Sequence, residues 1–346
     1  MIISVIVFNA LLFLLCGECI MISMSDFFTG KIFKISVVAT VSSGKSTFVN
    51  SIVGTDFLPS ANEACTSKLI TLIHSNNNKE RSLIFQRKDS YQRIDDFNVS
   101  LLDQLNEDHA VENIFIKCNL PFIRGVTKPV AFIDTPGVNN SLSDSHGKTT
   151  YDYINKLESG LVIYVVNATQ IGICDDRQLL DKVIDRVIDQ GGKLKIIFVV
   201  NKVDEFDFDK ELLSEVLADV RSYINDCVMY KPRFIHITAD DFRIFPVSSI
   251  TAKVIRKKFL NAPTTRFENK LLNKAMTFLG DEHSHFERYA SLSARCRHYT
   301  EDRLAEFSYM GSSEFVDLNE LLIHTGIPAV EETINEYISA FDSLRD

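Results

Sequence analysis

Nine consecutive residues, Ala39-Thr40-Val41-Ser42-Ser43-Gly44-Lys45-Ser46-Thr47, have the types and order of a loop that holds phosphates. The backbone N–H groups of 42–46 are expected to face a phosphate chain at the positive end of the helix that follows. Lys45 would place a point charge on the β- and γ-phosphates, and the Ser46 hydroxyl would ligate Mg²⁺. Ser43, Gly44 and Thr47 complete the set of loop residues assigned to the nucleotide. The pattern asks for Gly at its first position; this chain has Ala39, which is tolerated where φ stays negative. Lys45 is read as serving ligand rather than core, so Lys45→Ala should abolish binding with little loss of fold.

Three further groups extend the chemistry. Asp134-Thr135-Pro136-Gly137 offers a carboxylate that would hold Mg²⁺ through water and a Gly137 N–H that would reach the γ-phosphate. Thr66 is placed to add its hydroxyl to the metal and its backbone to the γ-phosphate. Asn201-Lys202-Val203-Asp204 selects the base: the Asp204 carboxylate can accept from N1–H and the exocyclic amine of guanine, a donor pair that adenine lacks. The Lys202 stem can lie against the ring. Ser248 and Ser249 end the next strand, where a backbone N–H could meet the guanine O6.

Elements that would position these groups are readable from hydropathy. Ile35-Ser36-Val37-Val38 reads as a buried strand before the loop, and Phe48 to Val53 as a helix closed by Gly54. Residues 69–73 read as a strand with a hairpin partner at 82–85, and 90–108 as one helix. Strands follow at 113–118, 129–133, 161–166, 195–200 and 243–247, alternating from 150 onward with helices at 175–190 and 209–226. Near-continuous apolar strands alternating with amphipathic helices mean a mostly parallel sheet covered on both faces, an α/β fold of the P-loop class. Ligands of such sheets bind at the carboxyl ends of the strands, where each motif falls. From about 250 onward the chain reads as helical, ending in a helix over 328–344 with Val330, Ile334, Tyr337, Ile338, Phe341 and Leu344 on one stripe.

Composition bounds the reading. The 346 residues are 45% hydrophobic and 24% charged, so a sizeable core is available. A net charge of −9 argues against coating nucleic acid. Residues 253–274 hold seven basic side chains against Glu268 alone; a solvated helix face is expected, with acidic lipid or a nucleic-acid backbone as the alternatives. Seven cysteines show no metal-ligand spacing outside the leader and read as reduced thiols of a cytosolic protein. Residues 1–24 form an apolar leader. It reads either as a membrane anchor, near the ~20 residues a span needs, or as sequence ahead of a true start at Met21 or Met24. Glu18 and the Cys16–Cys19 pair fit poorly within lipid and favour the later start.

With these motifs quoted, the chain resembles the G domain of the dynamin superfamily, and more closely its bacterial dynamin-like members. The resemblance rests on Ser-Ser-Gly-Lys-Ser-Thr followed by Asn50-Ser51-Ile52-Val53-Gly54, on Phe57-Leu58-Pro59 with Thr66, and on Asp134-Thr135-Pro136-Gly137. It extends through Asn167-Ala168-Thr169-Gln170, Asp175-Asp176, Asn201-Lys202-Val203-Asp204 and Thr325-Gly326-Ile327-Pro328-Ala329-Val330. It implies a G domain over 25–255, a helical segment over 256–346 packing on it, GTP hydrolysis with Mg²⁺, and G domains pairing face to face as a homodimer. Lys45, Ser42 and Thr66 are then the catalytic set, Ser42 helping to hold a monovalent cation. Two departures stand out: Val41 occupies the position of a water-placing glutamine, and the family's long helical stalk is missing before Asp346. The expected function is GTP hydrolysis by an assembling enzyme; the alternative is a slow or inactive GTP-dependent switch docking on a stalk-bearing partner. The expected location is the cytoplasm, with membrane association left open.

Overall fold

The computed structural model describes residues 32–343, apart from residues 55, 57, 59–67, 78–79, 89, 127, 139–143, 173, 208–211, 230, 232–240, 278 and 311–312. Thr66 and the 1–24 leader therefore lie outside the described residues. Among the rest, no helix is long and apolar enough to cross a membrane.

Among the described residues nine strands form one sheet: β1 (Phe33–Ala39), β2 (Leu69–His74), β3 (Arg81–Arg87), β4 (Ser90–Ile94), β5 (Asn113–Cys118), β6 (Val130–Asp134), β7 (Gly160–Asn167), β8 (Leu194–Asn201) and β9 (Arg243–Val247). Their order is β4-β3-β5-β2-β6-β1-β7-β8-β9. The run β6-β1-β7-β8-β9 is parallel throughout. The helices are α1 (Lys45–Val53), α2 (Val99–Glu107), α3 (Asp144–Asn155), α4 (Cys174–Asp189), α5 (Leu213–Val228), α6 (Ser249–Phe259), α7 (Arg266–Thr277), α8 (Ala294–Met310), α9 (Glu314–His324) and α10 (Ile327–Ser343).

All eight residues of β7 are buried, because helices cover both faces of the sheet. Leu161, Ile163 and Val165 face a cluster completed by α1, α6 and α10; Val162, Tyr164 and Val166 face one completed by α4 and α5. Each such side chain contributes roughly 2 kcal/mol by burial. The mostly parallel α/β architecture read from the sequence is the observed one.

Two local readings are corrected. The predicted β2–β3 hairpin does not form: β2 lies between β5 and β6, and β3 pairs with β4 and β5. Ile70, Thr71 and Leu72 are buried, so β2 takes a central place with strand partners on both sides. Residues 90–108 are not one helix. Lys88, at φ 50°, turns the chain into edge strand β4. Asn98 then caps α2, its side chain accepting from the Leu101 N–H.

The basic run 253–274 is corrected as well. Lys253, Lys257 and Glu268 are buried rather than solvated. Lys253 and Lys257 both pair with Asp56, at 3.1 and 3.0 Å, and with Glu268, at 3.6 and 3.0 Å. Burial opposes ionisation at Asp56, but Lys257 and Lys253 outweigh it and hold its carboxyl below the usual range. Arg256 pairs with Glu331 at 2.7 Å and donates to the Ser51 and Ile52 carbonyls at the end of α1. These charges fasten α6 to α7, α10 and the loop after α1. A nucleic-acid backbone would find at least three of the seven basic side chains already paired.

The C-terminal helices share the main core. Ile327, Val330, Ile334 and Ile338 are buried in the same cluster as Ile35 and Val37, and the Phe341 ring lies 5.0 Å from that of Phe33. Leu344, the last residue of the predicted stripe, is outside the described residues. Gly326 makes this docking: its φ is 76°, and a Cβ there would stand 2.2 Å from the Pro246 carbonyl oxygen. The neighbouring Thr325 carbonyl accepts from the Ser248 N–H at 3.0 Å. Gly326→Ala should therefore cost about 3 kcal/mol, read as a lower urea midpoint. An unchanged midpoint would mean that α10 and the end of β9 part without cost.

Candidate functional site

The carboxyl ends of β1, β6, β7, β8 and β9 bring four of the sequence motifs to one edge. After β1 the chain turns through Ser42 at φ 64° and Gly44 at φ 80° into α1. Gly44 caps α1 with no side-chain hydrogen bond, so the first amides of the helix keep their outward donors for a ligand. Ser46 and Thr47 follow in that first turn, half-buried. The Ser43 hydroxyl donates to the Thr40 carbonyl at 2.9 Å, inside the loop. Its role is to shape the loop rather than to reach outward. Gly54 ends α1 at φ 82°, as its position in the sequence predicts.

The loop is fastened on two sides. Toward β6, the Val41 N–H donates to the Val138 carbonyl (3.0 Å), and the Val138 N–H to that of Ala39 (3.2 Å). Gly137 sits against Val41: a Cβ at 137 would lie 3.0 Å from the Val41 Cγ2. Toward β8, Asn201 Nδ2 donates to the carbonyls of Ser43 (3.0 Å) and Gly44 (3.4 Å), while its Oδ1 accepts from the Ser249 N–H (3.3 Å). Asn167, in register with Asn201 on β7, donates to the Ser42 carbonyl at 3.4 Å. Gly44 is required twice over, by its φ and because a Cβ would stand 2.4 Å from Asn201 Nδ2.

Lys45 and Asp134 form an ion pair with 6% and 0% of their side chains exposed. The sequence assigns one to phosphate and the other to Mg²⁺; the structure places them in direct contact. This changes what Lys45 does for the fold, since its loss would take away the cation paired with a buried carboxylate. The expectation that Lys45→Ala is nearly silent for stability is corrected on that ground.

At the base end, Val203–Glu205 form one 3₁₀ turn that starts from Lys202 at φ 68°. The Lys202 stem lies over Gly44, its Cε 3.8 Å from where a Cβ would be, and its Nζ is 3.6 Å from Glu205. Asp204 Oδ1 is buried without a hydrogen-bond partner. Burial pushes its carboxyl above the usual range, against the lowering effect of Ser248. A cavity of about 370 Å³ opens beside it, walled also by Ser248, Thr251, Lys274, Phe286 and Thr325.

Ser248 and Ser249 do not offer the free amides expected of them. Ser248 N–H donates to Thr325 and Ser249 N–H to Asn201, because the end of β9 must be tied to both neighbours. The Ser248 hydroxyl caps α6, donating to Thr251 Oγ1 at 2.8 Å and accepting from the Thr251 N–H. Two participants have positioning roles that their motif membership alone did not disclose: Asn167, at the end of β7, and Thr325, from the Thr-Gly-Ile-Pro run. Asn50 is a third. Its side chain donates to the Leu58 carbonyl (2.7 Å) and accepts from its N–H (2.8 Å), fixing the start of the segment that leads to Thr66.

Comparison with known proteins agrees with this geometry: the dynamin family model matches residues 35–203. This stretch is a dynamin-family G domain. A bacterial dynamin-like protein of Nostoc punctiforme is 25% identical over 336 residues, covering 90% of this chain and 44% of that protein. An uncharacterized protein in the xynA 3′ region of Caldicellulosiruptor sp. is 26% identical over 197 residues, 56% of this chain and 45% of that protein. The chain thus spans under half the length of these curated relatives. Two solved chains of an oligomerised bacterial dynamin pair, described as a mechanism for long-range sensing and tethering of membranes, have TM-scores of 0.47 and 0.46 at 15% identity. Each alignment covers 99% of this chain and 50% of the solved one.

In the dynamin-family domain, Lys45→Ala should lower stability by about 3 kcal/mol as well as remove nucleotide binding. The double variant Lys45→Ala with Asp134→Asn should regain most of that stability without regaining binding. Urea denaturation beside nucleotide titration checks both. A single variant as stable as the parent would remove the ion pair from the fold's support.

Proposed function

We propose that this chain binds GTP with Mg²⁺ at the edge formed by β1, β6, β8 and β9 and hydrolyses the γ-phosphate. The observation that carries the reading is a pair of unmet valences at two ends of one crevice. Uncapped α1 amides await an anion, and a buried Asp204 oxygen awaits donors. Guanine supplies donors for the Asp204 oxygen that has none, and ionised Asp204 is then stabilised rather than penalised. Asn201 joins the two ends, so base and phosphates are held in fixed relation.

Asp134, Ser46 and Thr66 are the oxygen donors assigned to Mg²⁺, and hard oxygen ligands suit that ion. When bound, the ion supplies charge on the β- and γ-phosphate oxygens. Lys45 would leave Asp134 for the phosphates, each exchanging one opposite charge for another. Gly137 brings backbone close to the γ-phosphate, and the α1 amides stabilise the charge that develops as water attacks. Ser42, exposed at the loop tip with its carbonyl held by Asn167, is the residue assigned to a monovalent cation.

Val41 occupies the loop position from which a side chain would place the attacking water. Its methyl packs against Gly137 and cannot hydrogen-bond a water. Two readings follow. In the first, a second copy pairs across the exposed loop tip as a homodimer and completes the site, giving an assembling enzyme in the cytoplasm or on a membrane. In the second, favoured by Val41 itself, turnover stays slow and the chain is a GTP-dependent switch that docks on a stalk-bearing partner.

Asp204→Asn should weaken GTP by tenfold or more and favour xanthosine triphosphate, since an amide donates where a carboxylate only accepts. Unchanged preference in competition titrations would move base recognition elsewhere. Turnover measured against protein concentration separates the two readings, a steep rise marking the assembling enzyme and a flat, slow rate the switch. Val41→Gln should raise the basal rate several-fold if a side-chain amide is the missing part. A rate left at or below the parent's would mean that water is positioned by another route.

A further inference from the structure

His285, Glu287 and His324 lie together, and they are 7%, 4% and 3% exposed. One potential ligand atom from each falls within 4.8 Å of the others. The imidazole rings of His285 and His324 stack, centroids 3.5 Å apart and planes 2° from parallel. His285 Nε2 is 2.9 Å from the Leu279 carbonyl, which makes that nitrogen the donor and leaves Nδ1 with its lone pair. His324 Nδ1 is 3.1 Å from Glu287 Oε1. Three polar atoms remain buried without a hydrogen-bond partner: His285 Nδ1, His324 Nε2 and Glu287 Oε2.

Three orphaned acceptor-capable atoms on three adjacent buried side chains are costly unless something binds them. A proton satisfies one at most. We propose that His285, Glu287 and His324 form a second metal site, for a transition ion of the zinc class, distinct from the Mg²⁺ assigned to the phosphates. Imidazole nitrogen selects zinc-like ions over magnesium, and two histidines with one carboxylate leave a fourth position open. Glu320 Oε1, 3.6 Å from His324 Nε2, is near enough to fill that position or to bond a water there. Burial holds His285 below its ordinary pKa, in the neutral form that ligates. Bonds of ~2.0–2.2 Å in a tetrahedral ion need closer ligand atoms than these, and stacked rings aim their lone pairs in parallel. Loading therefore requires one ring to turn out of the stack.

The consequence is mechanical. Glu287 belongs to the 3₁₀ turn Phe286–Tyr289 packed on β9, and His324 is the last residue of α9. A bound ion would staple the two just before Thr325, whose carbonyl holds the Ser248 N–H, and His324 also walls the cavity beside Asp204.

The test uses the metal-stripped full chain without nucleotide, so it is independent of the GTP reading. Zn²⁺ titrated by calorimetry should bind one per chain and raise the thermal midpoint, and a chelator should reverse both. Glu287→Gln and His324→Gln should each weaken binding at least tenfold, while His298→Ala, which removes the exposed His298–Asp302 pair, should leave it unchanged. X-ray absorption of the zinc-loaded parent should show two imidazoles and oxygen without sulfur, and it needs no variant to fold. No stoichiometric uptake, sulfur ligation, or sensitivity to His298→Ala in place of Glu287→Gln would overturn the site.

Discussion

Between the phosphate loop and the end of β9 stands one side-chain amide, that of Asn201. Its nitrogen donates to the Ser43 and Gly44 carbonyls and its oxygen accepts from Ser249. The rest of the site depends on this bridge. Gly44 has no Cβ because the amide occupies that space; the amides of α1 point outward because the loop's carbonyls are turned inward to Asn201 and Asn167. A loop made of small residues has little packing of its own. Its shape comes from donors at the ends of β7 and β8, so the rigid sheet sets where a phosphate would sit.

The same edge stores charge. Lys45 and Asp134 neutralise one another in a place where either alone would be costly. An incoming anion with its cation replaces one pair of contacts by two, so the site can stay folded in either state. Asp204 is different: one of its oxygens has no internal partner, and the proposed choice of base rests on that oxygen. A site that rejects the wrong base does so by leaving a buried acceptor unmet.

The C-terminal helices belong to this arrangement as well as to the core. Gly326 brings α10 into backbone contact with β9, Thr325 ties down Ser248, and Lys253, Lys257 and Arg256 bind α6 to its neighbours. A change of nucleotide that moved the end of β9 would be felt by α9 and α10 directly, through hydrogen bonds rather than through a chain of soft packing.

Local placement was legible in the sequence. Gly-Lys-Ser after an apolar strand, Asp134-Thr-Pro-Gly and Asn201-Lys-Val-Asp204 fix their own neighbourhoods, because short loops at strand ends leave few places for their side chains. Gly54 as a helix stop and the stripe Val330, Ile334, Ile338 were equally local. Partnership across the chain was not. Which strand lies beside β2, which acid neutralises Lys253 and Lys257, that Lys45 meets Asp134, and that His285 stacks on His324 all join residues far apart in sequence. Spacing along the chain carries no distance in space; only the packed sheet, with its helices seated on both faces, decides which of many chemically suitable partners arrives.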